Sequence, residues 1–149
     1  MTIICYRDGI LAADSAIWQG DVIVGHREKI RRLQDGRLFA AAGASPLIQA
    51  VGDWLEGSAP APRIPEAEEW DILGIILGEA GPMLIDRTLN AYPMPGNFVA
   101  IGRGESFAMG ALACGAGAEE AVKLCIEKTA FCAGTVQIES LPPNHGPLI

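Results

Sequence analysis

The 149-residue sequence has the length of one domain, and its apolar residues, 50% of the total, suffice to bury a core without disulfides or metal ions. Eleven basic against eighteen acidic residues give a formal net charge of −7, the wrong sign for a protein that binds nucleic acid or anionic lipid. The N-terminus has no signal-peptide pattern and no apolar run reaches the ~18 residues that span a bilayer, so we expect a cytoplasmic protein without membrane contact.

The first part of the sequence has the pattern of short β-strands joined by tight turns. Apolar runs cover residues 2–6 and 9–13, and Asp8-Gly9 between them provides the positive φ angles of a hairpin turn. Further strands are predicted over residues 22–24, 29–33 and 37–42, the last two joined by another Asp-Gly turn. The pattern therefore predicts five strands before the first helix.

A helix is predicted next, because Ser45 is a typical N-cap and Pro46 suits the first helical position. Its apolar stripe consists of Leu47, Val51, Trp54 and Leu55. Gly57 ends this helix. The proline- and alanine-rich residues 57–65 are predicted to form a surface loop.

The second half returns to strands and then changes to helices. Strands are predicted over residues 72–77, 83–85, 98–101 and 136–141, and helices over residues 107–114 and 118–128. This order predicts an α+β fold with two stacked sheets and helices outside. We expect one domain over residues 1–141 and a C-terminal tail over residues 142–149.

Metal, disulfide and histidine-based chemistry is not expected, and we predict no cofactor. The four cysteines form no CxxC pair and stand among apolar or small residues, which favours buried free thiols. The histidines are His26 and His145, and the second lies in a Pro- and Gly-rich segment unsuited to a catalytic position. No phosphate-binding loop, zinc-protease motif or dinucleotide fingerprint occurs.

Five short pieces of sequence follow one another in a recognisable order. They are Thr2, GILAADS at residues 9–15, EKIRRL at 28–33, AAAGAS at 40–45 and AIGRG at 100–104. Together they resemble the proteasome β-subunit family, with the bacterial HslV-like peptidase as the closest member type. The resemblance covers most of the chain except residues 54–70, where this sequence is shorter. It implies a four-layer αββα sandwich of the N-terminal-nucleophile hydrolase type, and hydrolysis of peptides or unfolded proteins.

The resemblance also implies roles for particular residues. Thr2 is the expected nucleophile, and its own α-amine, freed by removal of Met1, accepts the hydroxyl proton. An α-amine suits this task because its pKa is about 7.7–8.0. Lys29 is expected beside the nucleophile, Asp14 is expected to pair with that lysine, and the Gly43 N–H corresponds to the family's oxyanion donor.

Three positions depart from the family pattern. Arg103 replaces a serine between two glycines, and Thr129 and Cys132 stand where the family has an aspartate and a small hydroxyl residue that support the amine. Two interpretations stay open. Arg103 substitutes electrostatically for the missing polar groups, or the chain is a catalytically degenerate, proteasome-like oligomeric scaffold. An amidase acting on a small non-peptide substrate would use the same residues.

The family analogy extends to the substrate pocket and to assembly. Ile17, Arg27, Arg31 and Ala41 are the residues expected to face the pocket, and a small Ala41 would leave it deep. Family members form rings, often stacked in pairs, and some depend on an ATP-driven unfoldase. We therefore expect a homo-oligomeric ring, with an ATP-dependent unfoldase as a candidate partner.

Overall fold

Strand β1 (Ile3–Arg7) is an interior strand of its sheet, and its first four residues are buried. It pairs with β2 (Ile10–Ala13) through a turn in which Asp8 and Gly9 have φ angles of 50° and 82°, so the predicted Asp-Gly hairpin is confirmed. The structure is a computed structural model and describes residues 1–142. The predicted tail beyond Pro142, including His145, lies outside the described residues.

The remaining elements follow in chain order. They are β3 (Ala16–Gln19), β4 (Val22–His26), β5 (Ile30–Arg32), β6 (Leu38–Gly43), α1 (Ser45–Leu55), β7 (Ile72–Gly78), β8 (Gly81–Asp86), β9 (Ala91–Pro93), β10 (Phe98–Gly102), α2 (Glu105–Ala113), α3 (Ala118–Lys128) and β11 (Gln137–Ser140). The helices of this described part have 9 to 11 residues, and none is long and apolar enough to cross a membrane.

Two strands, β3 and β9, were not predicted, and because β3 comes before α1, six strands rather than five precede this helix. Strand β3 escapes prediction because a register shift between Ile17 and Trp18 interrupts the period-two alternation. Strand β9 is short, lies at the edge of its sheet and ends at Pro93, which cannot donate to a sheet hydrogen bond. Both strands thus lack the signals by which strands are recognised.

The strands form three antiparallel sheets within residues 1–142. The orders are β10-β1-β2-β11, β5-β6-β7-β8-β9 and β3-β4. Ile3 and Cys5 of β1 pack against α2 and α3, whereas Ile4 and Tyr6 pack against the five-stranded sheet. Helix α1 packs on another core cluster, formed with the five-stranded sheet. The fold is therefore mixed α/β, with a core between the larger sheets and cores beneath the helices.

Helix α1 starts one residue earlier than predicted, so the assignment of Ser45 as its N-cap is wrong. Ala44 is the N-cap, because its carbonyl accepts hydrogen bonds from the N–H groups of Leu47 and Ile48 at 3.0 Å. No side chain caps this helix. The Ser45 hydroxyl instead accepts a hydrogen bond from Arg27 Nη2 at 3.1 Å.

The thiols differ from the prediction at one position. Cys5, Cys125 and Cys132 are buried free thiols, but Cys114 follows the end of α2 and is exposed. Cys5 has no exposed surface and lies between the four-stranded sheet and α3. Burial, assisted by Cys132, raises the pKa of the Cys5 thiol to about 12.

This raised pKa predicts that the protein loses stability in alkali. Between about pH 9 and 12 the unfolded Cys5 thiol loses its proton while the folded one keeps it, so the folded state binds more protons. The free energy of unfolding should then fall by up to about 1.4 kcal/mol per pH unit for this thiol. Urea unfolding at several pH values should show a shallower fall for Cys5→Ala. Cys114→Ala, which removes an exposed thiol, should keep the parent slope, and equal slopes in Cys5→Ala and the parent would contradict the prediction.

Candidate active site

Thr2, Asp14 and Lys29 meet at one end of the four-stranded sheet. Lys29 Nζ lies 3.1 Å from Thr2 Oγ1 and 2.9 Å from Asp14 Oδ1, and it also donates to the Met1 carbonyl at 3.1 Å. The side chains of Lys29 and Asp14 are 4% and 0% exposed. The arrangement is a buried ion pair in direct contact with the threonine hydroxyl.

The strand register brings Thr2 and Asp14 together. Thr2 precedes β1 and Asp14 follows β2, and the pairing of Ile4 with Ala13 aligns these two ends. Asp14 Oδ1 accepts the Ile3 N–H at 3.1 Å, and Oδ2 accepts the Ala133 N–H at 3.2 Å. A buried carboxylate needs such donors to offset its loss of water, so Asp14 is held as a charged partner for Lys29.

Gln137 of β11 fixes the backbone at Lys29. Its Oε1 accepts the N–H groups of Lys29 and Ile30 at 2.8 and 2.9 Å, and its Nε2 donates to the Ile30 carbonyl at 2.9 Å. Sequence reasoning missed this residue, because a glutamine in a strand carries no local signal and lies 108 residues from Lys29. Gln137 is therefore a positioning residue found only from the structure.

The pKa values of two amines at the site are lowered. Burial lowers the pKa of Lys29, and Asp14 counteracts this effect. Burial also lowers the pKa of the Met1 α-amine. The charge of Lys29 lowers it further, Asp14 opposes this effect, and Arg103 and Arg27 make smaller lowering contributions. The Met1 α-amine is thus closer to its basic, unprotonated form than a free α-amine.

Two glycines allow close backbone approaches around the site. Gly102 has a φ of 114°, and a Cβ there would overlap the Thr2 carbonyl. Gly43 has a φ of 138°, and a Cβ there would overlap the Asp71 carbonyl. Gly43, the predicted oxyanion donor, ends β6 between Ala41 and Ser45, and both of these line the cleft next to Thr2.

A cleft of about 180 Å³ opens beside Thr2. Its other lining residues are Arg27, Glu28, Lys29, Arg31, Phe39, Ala41, Ser45, Ile48 and Gln49. Arg27, Arg31 and Ala41 were expected here from the sequence, whereas Ile17 lies in β3 and is not among these residues. A larger cleft of about 700 Å³ lies around Arg37 and Glu79, away from the Thr2 cluster.

The residues that depart from the family pattern make other contacts. Arg103 is exposed, with its guanidinium carbon 5.4 Å from the centre of the Phe131 ring. The Thr129 hydroxyl donates to the Cys125 carbonyl at 2.8 Å and lies 3.4 Å from Cys132 Sγ. Within residues 1–142, no hydrogen bond joins any of these side chains to the Thr2 hydroxyl.

Ser15 and His26 form a polar cluster next to the ion pair. Ser15 Oγ lies 3.0 Å from His26 Nδ1 and accepts the Thr135 N–H at 2.9 Å. The Ser15 N–H donates to the carbonyl of Ala133, whose own N–H binds Asp14. The cluster ties two chain segments, one at His26 and one at residues 133–135, to the turn that carries Asp14. Its only sequence signal is that Ser15 directly follows Asp14 in the AADS motif.

Comparisons with known proteins bear on the fold. No protein-family model and no curated protein matches the sequence. Among solved structures, BPH from Thiobacillus denitrificans is 18% identical with a TM-score of 0.66, over 96% of this chain and 99% of that one. The same protein in complex with epoxomicin is 19% identical with a TM-score of 0.66, over 95% and 99%. HslV from Trypanosoma brucei is 19% identical with a TM-score of 0.65, over 93% and 98%. The chain therefore shares the fold of these proteins.

Proposed function

We propose that the chain is a threonine-type peptidase of the N-terminal-nucleophile hydrolase class, in which removal of Met1 exposes Thr2 as the nucleophile. The observation that carries the proposal is the contact of Lys29 Nζ with both Thr2 Oγ1 and the buried Asp14 carboxylate. The fold shared with HslV supports it. A fold alone hosts many functions, so the weight rests on these side chains.

In the proposed reaction the Thr2 hydroxyl attacks the carbonyl carbon of a substrate amide. The free α-amine of Thr2 takes the hydroxyl proton and passes it to the leaving amine. The Lys29 ammonium and the Gly43 N–H stabilise the negative charge that develops on oxygen. Water then hydrolyses the ester formed on Thr2 and releases the acid product.

The proposal includes a single N-terminal-nucleophile domain over residues 1–141 with a four-layer αββα arrangement. Its support is the order of the core clusters. One lies between the helix pair and the four-stranded sheet, one between the two larger sheets, and one between the five-stranded sheet and α1. Helices on the outside of two packed sheets leave the Thr2 end of β1 open to substrate.

The unusual supporting residues have roles in this proposal. Burial, the charge of Lys29 and, to a smaller extent, the charge of Arg103 lower the pKa of the Met1 α-amine. In the proposal Arg103 has the same effect on the Thr2 α-amine once Met1 is removed, which replaces part of the effect of the missing polar groups. Thr129 and Cys132 contact each other just before Ala133, which donates to Asp14. They support the loop that holds the ion pair rather than the nucleophile itself.

The direct experiment combines intact mass with peptide turnover. Protein purified from its native source should lack Met1 and should release a fluorophore from at least one member of a diverse peptide panel near pH 8. Retention of Met1 would exclude the proposed nucleophile. Loss of Met1 without turnover of any peptide would favour the degenerate scaffold, and turnover only of small non-peptide amides would favour the amidase.

Assembly into a closed homo-oligomer, supplied with unfolded protein by an ATP-dependent unfoldase, is also part of the proposal. The β3–β4 hairpin supports an interface, because Val22 and Val24 are 58% and 56% exposed. Clustered exposed apolar side chains are typical of surfaces that bind another protein. The apolar face of α3 is buried within the chain and is not available for this contact.

Light scattering tests the assembly. We expect a mass several times the chain mass of 15.7 kDa at micromolar concentration, because the exposed valines are then covered by a neighbouring subunit. The double variant Val22→Glu/Val24→Glu should lower the mass, since it places charges in the interface. Gln34→Glu in the exposed β5–β6 turn is the matched control and should not change it. A monomeric parent protein would contradict the proposed oligomer.

A further inference from the structure

We infer that the cleft beside Thr2 selects substrates with an acidic side chain, and that Arg27 is the residue that determines this selection. The inference rests on the proposed function, because it assumes that a substrate side chain enters this cleft next to the nucleophile. It goes further by naming the chemical class of that side chain as a carboxylate.

The cations of the cleft line it directly, whereas their anionic partners stand behind them. Lys29 and Arg31 are lining residues, but Asp14, Asp53 and Glu56, which neutralise them, are not. Both carboxylates that bind Arg31 do so through Nη2, each at 2.9 Å. The Nε and Nη1 donors of Arg31 have no partner among the hydrogen bonds of residues 1–142. Three of the four charged residues that line the cleft, Arg27, Lys29 and Arg31, are therefore cations, and Glu28 is the exception.

Arg27 is the cation that remains without an ion-pair partner within the described residues of the cleft. Its Nη2 donates to Ser45 Oγ at 3.1 Å, which holds the guanidinium across the cleft from the β4–β5 connection to the start of α1. A guanidinium held in place binds a carboxylate through two parallel hydrogen bonds. Arg27 is thus pre-positioned for an acidic group.

The shape and the remaining charge of the cleft refine the selection. Phe39, Ala41 and Ile48 provide apolar walls for the methylene groups of a glutamate side chain. Glu28 also lines the cleft and is exposed, and its negative charge opposes the binding of a substrate carboxylate. Arg27 and Glu28 therefore act in opposite directions, and replacing each in turn should move the selectivity in opposite directions.

Peptide binding measures the selectivity without requiring turnover. Two fluorescein-labelled peptides, identical except for Glu or Gln before the bond to be cleaved, are titrated with Thr2→Ala protein lacking Met1, and anisotropy gives the dissociation constants. We expect the Glu peptide to bind about fivefold more tightly, the size of an exposed ion pair. Adding Arg27→Gln should bring the ratio close to one, and adding Glu28→Gln should raise it. High salt should lower it.

Arg63→Gln is the matched control, because Arg63 is an exposed arginine of the 57–65 loop outside the cleft lining. It removes the same charge and should keep the parent ratio. Equal affinities for the two peptides, no binding of either, or an equal effect of Arg63→Gln would overturn the inference. Turnover by protein with an intact Thr2 is measured separately. Selective binding without turnover would defeat the proposed function and leave the inference standing.

Discussion

Replacing Thr2 by alanine should abolish peptide hydrolysis and leave the fold intact. A methyl group cannot attack a carbonyl carbon, so kcat/KM should fall by at least about 10³-fold. The side chain makes one hydrogen bond in the described structure, from Lys29 Nζ at 3.1 Å. Loss of this bond should change the free energy of unfolding by only about 1 kcal/mol.

The measurement is hydrolysis of the best peptide substrate, with urea unfolding of the same protein preparations. Thr2→Ser is the matched control, because it keeps a hydroxyl and a small residue after Met1. It should retain turnover within an order of magnitude or so of the parent. Equal hydrolysis by Thr2→Ala and the parent would show that another residue is the nucleophile.

Breaking the buried ion pair should damage both stability and activity. Asp14→Asn leaves the Lys29 ammonium without its counter-charge in a site where the two side chains are 4% and 0% exposed. Removal of one partner from a buried pair costs about 3–5 kcal/mol of unfolding free energy. Turnover should fall by about 10²–10⁴-fold, because Lys29 then no longer holds its position beside Thr2 Oγ1.

Lys29→Met and the double variant Asp14→Asn/Lys29→Met complete a thermodynamic cycle. The double variant should lose less stability than the sum of the two single variants, since no uncompensated charge is then buried. Urea unfolding gives the stabilities and the peptide assay gives the turnover. If the stability losses of the two single variants were additive, or if a single variant kept the activity of the parent, the ion pair would not be part of the active site.

Local sequence signals predicted the parts of the fold that depend on neighbouring residues. The Asp8-Gly9 turn, the apolar runs of β1 and β6, and helix α3 needed only turn chemistry and periodicity. Strand β3 was not predicted because its bulge breaks the alternation of apolar and polar residues. The prediction of the α1 N-cap failed because it relied on the preference of serine for that position, whereas the Ala44 carbonyl accepts the first helical hydrogen bonds.

The residues of the candidate site also fall into two groups, those predicted from the sequence and those found only in the structure. The order of short motifs singled out Thr2, Asp14 and Lys29, and the structure places Thr2 Oγ1 and Asp14 Oδ1 within hydrogen-bond distance of Lys29 Nζ. Their catalytic role stays a prediction. Gln137 and Ala133 were missed because they reach the site through contacts 108 and 119 residues apart in sequence. Such pairings depend on the strand register and the tertiary fold rather than on any local pattern.

The hydrogen bond from Lys29 to the Met1 carbonyl bears on when the proposed enzyme becomes active. An ammonium group has three N–H bonds, and Met1 O, Thr2 Oγ1 and Asp14 Oδ1 occupy three donor directions of Lys29. With Met1 attached, the lysine is saturated and the Thr2 nitrogen is an amide without basic character. Cleavage of one peptide bond would release a donor and create the base in the same event. In the proposed enzyme the unprocessed chain is its own zymogen, and its activation is all-or-none for each subunit.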